Sequence, residues 1–227
     1  MARTAIRLAV VVAATVLLAA CDLFPKTWQW NQKLTLEVAT PQGIKRGSAV
    51  THVSWQDVNA VGNYPSSYSG EATVVEVAPG RYLFALIGEK SKYIAQYTFH
   101  EQFGTSRADY QKLLPEIEKF RGTADVPRDR YPLLVTFSDI TDPKTVQKID
   151  PDNLVASFGP GVSLKRITLE ITNGKVTQKI ETLLPWLEKV GRERGTLIPN
   201  PPRMSTSLTN PEIQLLAPSA FSTELYK

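Results

Sequence analysis

The fold is decided by the stretch between residues 33 and 43, which reads KLTLEVATPQG. Leu34, Leu36 and Val38 alternate with polar side chains, a period of two that is typical of a strand with one buried face. Residues 40–43 favour a tight turn, because proline fixes φ at the first corner and glycine permits a positive φ. A second strand pattern over residues 44–55 completes a predicted antiparallel hairpin.

Further strand patterns follow along the chain, and most are joined by short turns. Residues 83–87 are apolar on both faces, which predicts a central strand. Residues 59–69, rich in Gly, Asn, Pro and Ser, are predicted to form a loop. The remaining predicted strands are 71–77 and 82–87, which form a second hairpin, and 93–99, 133–137 and 164–172.

Two segments have apolar residues at helical spacing. The first covers residues 110–120 and is predicted to kink or restart at Pro115, and the second covers residues 180–190. Both contain a Leu-Leu-Pro sequence, 70 residues apart, which indicates either two related strand–strand–helix units or a chance likeness. If the helices are equivalent, both leucine pairs should be buried and both helices should kink at their prolines. The pairs are Leu113 with Leu114 and Leu183 with Leu184.

These patterns predict an α+β domain over residues 32–198, with a largely antiparallel sheet and two amphipathic helices on one face. Consecutive strands joined by tight turns argue against a doubly wound parallel sheet. A chain of this length buries about two-thirds of its unfolded surface, so it needs no disulfide to fold. Residues 199–227 are predicted to be a Pro-rich tail that runs extended over the surface and is partly ordered.

Composition and charge exclude several function classes. The 227 residues carry a formal charge of +4, which falls to +2 if Arg3 and Arg7 are removed with a signal peptide. Such a balance does not favour nucleic acid as a partner. One cysteine excludes an internal disulfide framework, and two histidines leave little room for a histidine-rich metal centre.

The N-terminus has the three parts of a signal peptide, assigned to residues 1–20. Arg3 and Arg7 precede an uncharged apolar run from Leu8 to Ala20. Its about 13 residues fit a signal-peptide core, and at ~1.5 Å per residue they are too short to span a ~30 Å bilayer core. The run ends in Leu-Ala-Ala-Cys at residues 18–21.

This ending, Leu18-Ala19-Ala20-Cys21, resembles the lipobox of bacterial lipoproteins. The resemblance implies cleavage after Ala20 and acylation of Cys21, which then anchors the chain in the cell membrane. Asp22 resembles an inner-membrane retention signal, so the periplasmic face of the inner membrane is favoured and the outer membrane is the alternative. A secretory signal with an incidental cysteine is the other interpretation.

Residues 21–31 are then expected to be a lipidated tether. Its Trp28 and Trp30 fit either the membrane interface or a contact with the core. Beyond the lipobox, residues 33–43 and 132–139 are similar to bacterial envelope proteins without an assigned activity, which implies no site residues.

An acidic stretch is the nearest approach to a metal site. Asp139, Asp142, Asp150 and Asp152 could supply oxygen ligands to calcium, but their spacing lacks the order of a calcium-binding loop. Aspartates beside prolines also begin turns by accepting a backbone N–H. Turn and helix capping is therefore the preferred interpretation, and no cofactor or metal is predicted.

Other polar and aromatic residues give weaker signals. Ser48 and His52 share a strand face at roughly 13 Å, too far for a direct hydrogen bond. His100 and Glu101, placed at a predicted strand end, form a weak acid–base candidate. Three tyrosines could line a groove for a sugar or a peptide, namely Tyr64, Tyr68 and Tyr93.

Two functions follow, and no residue is assigned as catalytic. The first is a membrane-anchored binding or adaptor module whose partner is an envelope protein, peptidoglycan or a sugar. The alternative is a periplasmic carboxylate-dependent hydrolase using Asp139, Asp142 and His100. An enzyme should have a deep polar pocket with perturbed carboxylate pKa values, whereas an adaptor should have a flat apolar patch or an open sheet edge.

Overall fold

The protein is described from a computed structural model, which covers residues 25–57, 66–193, 196–198, 213 and 216–225. Within these residues the chain forms nine strands in two antiparallel sheets, together with five short helices. The predicted α+β class with antiparallel pairing is confirmed. The strands are β1 (Thr27–Thr40), β2 (Gly43–Gln56), β3 (Ser66–Ser69), β4 (Thr73–Ala78), β5 (Arg81–Ala85), β6 (Gly122–Asp125), β7 (Leu134–Phe137), β8 (Val146–Lys148) and β9 (Ser163–Thr172).

The first sheet has five strands in the order β3-β2-β1-β9-β6. The predicted hairpin of β1 and β2 is present, and Gly43 has the positive φ of 109° that its turn requires. β1 starts at Thr27, earlier than the alternation alone indicated, and it carries Trp28 and Trp30 into the core at 2% and 4% exposure. Burial therefore favours the core contact over the membrane interface for both tryptophans.

The second sheet has four strands in the order β4-β5-β7-β8 and forms the middle layer of the molecule. Leu83 and Ala85 of β5 face the core shared with the five-stranded sheet. Phe84, between them in sequence, faces a second core formed with the C-terminal part of the chain. This position between two cores explains why β5 is apolar on both faces, as its sequence predicted.

The helices are α1 (Ile94–Phe99), α2 (Tyr110–Lys119), α3 (Val155–Phe158), α4 (Ile180–Leu183) and α5 (Leu187–Arg192). The prediction of a strand over residues 93–99 was wrong, since this segment is α1. Ala95 and Phe99 are both buried, and a separation of four residues fits a helix as well as a strand. Alternation over so short a segment therefore could not distinguish the two.

The two Leu-Leu-Pro segments differ in structure. α2 continues through Pro115 and buries both of its leucines, whereas α4 and α5 are separate helices on either side of Pro185. Leu184 is buried but Leu183 is only half-buried. α2 packs in the core between the two sheets, and α4 and α5 pack in the second core. The expected equivalence of the helices and their placement on one face therefore do not hold.

The C-terminal residues 216–225 are part of the fold rather than an extended surface segment. Phe221 is 0% exposed, and its carbonyl accepts a hydrogen bond from the Ala72 N–H at 2.8 Å. The Ile87 N–H donates to the Ala220 carbonyl at 2.9 Å. The segment has few charged residues because it packs against the second sheet.

Candidate functional site

A pocket of about 460 Å³ opens where the two cores meet at one end of the four-stranded sheet. Backbone hydrogen bonds hold its walls together, from Leu86 to Leu133 at 2.9 Å and from Ile149 to Leu134 at 2.8 Å. We call it the inter-sheet pocket for its place where the two cores meet, although its described lining includes no residue of the five-stranded sheet. It is lined by Leu86, Ile87, Gly88, Ser91, Arg128, Tyr131, Pro132, Leu133, Leu134, Lys148, Ile149, Pro151, Leu216 and Ala220.

The wall of the inter-sheet pocket is mainly aliphatic, with two cationic side chains. Arg128 stacks over the Tyr131 ring at 4.7 Å and forms an ion pair with Asp152 outside the lining. Lys148 is exposed at the end of β8. Among the described residues of the lining, none is acidic. An apolar wall with a few polar groups is the usual composition of a small-molecule site.

A buried polar network supports the pocket from behind at Ser91. The Ser91 carbonyl accepts a hydrogen bond from Gln32 Nε2 at 3.1 Å, and its hydroxyl accepts one from the Gly88 N–H at 3.2 Å. Gln32 Oε1 in turn accepts from Trp30 Nε1 at 3.0 Å. Hydrogen bonds that satisfy buried polar groups in this way hold a wall in one conformation.

Tyr68 completes this network. Burial raises the pKa of its hydroxyl to about 12, although hydrogen bonds with Thr51, Ser91 and Gln32 oppose the rise. Tyr93, the second tyrosine of the predicted groove, packs edge-on against Trp55 at 5.2 Å. Tyr64 lies outside the described residues. The two described tyrosines thus take part in internal packing and do not present an aromatic platform together.

Three aspartates of the acidic stretch cap local turns, and the fourth, Asp152, pairs with Arg128. Asp139 accepts a hydrogen bond from the Thr141 N–H at 2.9 Å, and bonds from the hydroxyl and N–H of Thr141 lower the pKa of its carboxyl. Asp142 accepts from Lys144 and Asp150 accepts from Asp152, each through a backbone N–H at 2.9 Å. Within the described residues, no group of three or more potential metal ligands of the His, Cys, Asp and Glu types is found.

The histidine candidates do not form catalytic pairs. His52 Nδ1 lies 2.8 Å from Asn31 Oδ1, and Ser48 is exposed further along β2. His100 lies at the C-terminal end of α1 rather than at a strand end, with Nδ1 3.2 Å from the Tyr97 carbonyl. Glu101, 4.0 Å from His100 Nε2, has a side chain that is 90% exposed. Neither histidine lines the inter-sheet pocket.

A buried carboxylate, that of Glu71, lies beside the second core. Glu71 is 2% exposed, and one of its oxygens accepts hydrogen bonds from the N–H groups of Lys179 at 2.7 Å and Ile180 at 3.1 Å. Burial raises the pKa of Glu71 despite these bonds, and the carboxylate of Glu181 adds to the rise. Glu71 does not line the pocket, so it holds α4 rather than contributing to a site there.

The outer face of the five-stranded sheet is covered by ion pairs. Glu37 on β1 accepts hydrogen bonds from Arg166 Nε at 3.1 Å and from Arg46 Nε at 2.9 Å, and these two bonds lower the pKa of its carboxyl. Lys33 pairs with Glu170 on the same face. Among the described residues, the exposed large apolar side chains are Ile44 at 45% and Val155 at 47%. Two side chains are too few for the flat apolar patch expected of an adaptor.

Cys21, the predicted site of lipidation, and Asp22, which resembles a retention signal, lie outside the described residues. Across the part of the chain that the structure describes, no helix has the length and apolar character needed to cross a membrane.

The sequence did not indicate the inter-sheet pocket. Its lining comes from four separate segments, and most of those residues resemble ordinary core or turn residues. The pairing of Arg128 with an aromatic side chain three residues later was the one local signal, and it is common on protein surfaces.

Comparison with protein families, curated proteins and solved structures gives no match for this chain. Function is therefore inferred from its own residues.

Proposed function

We propose that this chain is a bacterial envelope lipoprotein whose folded domain is a binding module, with the inter-sheet pocket as its binding site. Cys21 carries the lipid anchor and holds the domain at the periplasmic face of the cell membrane. The inner membrane is favoured by Asp22, and the outer membrane is the alternative. The inter-sheet pocket is the observation that supports a binding role for the domain.

Pocket binding is preferred to docking through a flat surface because of where apolar area lies. Among the described residues, only Ile44 and Val155 are large apolar side chains with high exposure, whereas several aliphatic side chains line the pocket together. The volume of the pocket, about 460 Å³, falls within the ~300–1,000 Å³ range of small-molecule sites. The carboxylates proposed for a hydrolase, Asp139 and Asp142, cap turns and do not line it.

The anchor is tested by labelling cells that express the full-length chain with a radioactive fatty acid. The wild type should incorporate label and lose residues 1–20. Cys21→Ser should remain an unprocessed precursor without label, because serine offers no thiol for the thioether. Normal cleavage of Cys21→Ser would contradict the lipoprotein assignment.

The binding role is tested by extracting small molecules from the purified full-length protein and comparing wild type with Gly88→Phe. A Cβ built on Gly88 meets no atom within 4 Å, so a larger side chain at this lining position should fit without disturbing the fold. Wild type should yield a copurified compound that is depleted in Gly88→Phe. Lys45→Gln, on the exposed part of β2, is the matched control. Equal extracts from all three proteins would contradict the binding role.

A further inference from the structure

We propose that the inter-sheet pocket binds a straight-chain fatty acid, with the acyl chain against the aliphatic wall and the carboxylate facing Arg128 and Lys148. This inference rests on the proposed function and specifies the ligand class of the same site.

The wall determines the apolar part of the ligand. Leu86, Leu133 and Leu216 come from three different segments and face one space, with Ile87 and Ile149 beside them. Aliphatic side chains offer no hydrogen bonds to a sugar ring. The Arg128 guanidinium lies over one face of the Tyr131 ring at 4.7 Å, so that face of the lining aromatic does not stack on a sugar. A flexible hydrocarbon chain fits such a wall best.

The two cations determine the polar end. The planar fork of an arginine matches a carboxylate in shape and forms two parallel hydrogen bonds with it. Lys148 supplies a second positive charge from the end of β8. A zwitterionic phospholipid head would bring its own ammonium group towards these cations, whereas a fatty acid carries only the complementary charge.

Arg128 already pairs with Asp152, and this pair leaves room for a ligand. Its arginine side chain is 42% exposed and its aspartate side chain is 78% exposed, so solvent screens the bond and little stability depends on it. A guanidinium has five N–H donors, so it can keep one partner while it binds another. An arginine held by a carboxylate and an aromatic ring is also oriented before the ligand arrives.

The test measures binding of octanoate, decanoate and decanol by calorimetry at pH 7.5. The processed, lipidated protein is held in nanodiscs of neutral phospholipid, and the signal of empty nanodiscs is subtracted. Decanoate should bind roughly 15-fold tighter than octanoate, because each buried methylene contributes roughly a fourfold gain. It should bind about tenfold tighter than decanol, which has the same chain but no charge.

Variants test separately how the pocket binds the carboxylate and the acyl chain. Arg128→Gln and Lys148→Gln should each weaken decanoate binding and leave decanol binding unchanged, and Gly88→Phe should weaken both. Lys45→Gln should match the wild type. Equal affinities for decanoate and decanol, or unchanged decanoate binding in both glutamine variants, would overturn the proposal.

Failure of the fatty-acid proposal and failure of the proposed function give different results. If neither ligand binds while Gly88→Phe still depletes a copurified compound, the fatty acid is wrong and the binding module stands. If Gly88→Phe has no effect on the extract and Cys21→Ser is processed normally, the proposed function itself fails.

Discussion

Gly47 on β2 lies so close to Val74 on β4 that an ideal Cβ at residue 47 would stand 1.9 Å from the Val74 carbonyl oxygen. The contact lies where the four-stranded sheet crosses the five-stranded sheet. No side chain fits there, so the absence of a Cβ at Gly47 sets the distance between the two layers.

Gly47→Ala should therefore destabilise the protein by about 3 kcal/mol, near the upper end for overpacking, because the neighbouring atom is backbone and cannot rotate away. Urea unfolding measures the change. Gly174→Ala is the matched control, since the nearest atom to its added Cβ is at an ordinary 3.5 Å. Equal stability of the two variants would contradict the claim that the two sheets approach too closely at Gly47 to admit a Cβ.

Glu71 gives the fold a predictable pH dependence. Because burial raises the pKa of its carboxyl, the folded protein holds this proton more tightly than the unfolded chain, whose value is near 4.5. The resulting stabilisation is fully present below pH 4.5 and is lost as pH rises through the higher pKa of the folded state. Ionisation of Glu71 in the folded protein is thus unfavourable.

Glu71→Gln is neutral at every pH and keeps an oxygen that can accept from Lys179 and Ile180. We expect it to unfold at a higher urea concentration than the wild type at pH 8, with the difference shrinking towards pH 4.5. Glu116→Gln, on the exposed side of α2, controls for the loss of one negative charge. A difference that stays constant between pH 4.5 and pH 8 would argue against Glu71 as its source.

Phe221 should be a major source of stability although it lies near the end of the chain. Its ring packs edge-on against Phe84 at 5.8 Å and against Trp186 at 6.2 Å. Phe221→Ala should lower the free energy of unfolding by about 3–5 kcal/mol, as for other buried aromatic residues. The partly buried Leu225→Ala is the control and should cost clearly less. Urea unfolding that shows similar losses for both would contradict the central place of Phe221.

The sequence correctly predicted the strands and helices whose hydrophobic pattern is long enough to fit only one of the two periodicities. β9 follows strict alternation, with Ile167, Leu169 and Ile171 all buried as expected. α1 is too short for its periodicity to decide, because Ala95 and Phe99 satisfy both periods. The two sheets could not be distinguished from one, since alternation shows which residues are buried and not which sheet covers them.

The sequence did not predict the pocket for a related reason. Leu86 and Leu216 are far apart in sequence, and an aliphatic residue that lines a pocket has the same pattern as one that fills a core. The aspartates of the acidic stretch were more predictable, because capping is decided within two or three residues. Asp142 and its neighbour Pro143 form such a local unit.

Capping also provides a test against the hydrolase alternative. Asp139, Asp142 and His100 do not line the inter-sheet pocket, and the two aspartates each hold a nearby backbone N–H. Replacing either aspartate by alanine should cost about 1 kcal/mol of stability, the usual loss for a cap, whereas asparagine keeps an acceptor and should cost less. His100→Ala should have a smaller effect still, because it removes one contact with the Tyr97 carbonyl.

Thermal unfolding and the copurified small-molecule extract should be measured on the same preparations. We expect each alanine variant to keep the extract of the wild type and to melt at most about 4 °C lower, since ~1 kcal/mol shifts Tm by ~2–4 °C in a domain of this size. Gly88→Phe should give the opposite result, with Tm retained and the extract depleted. If Asp139→Ala or His100→Ala accumulated a compound that is absent from the wild-type extract, at an unchanged Tm, that side chain would be needed to cleave it, and the carboxylate-dependent hydrolase would become the better hypothesis.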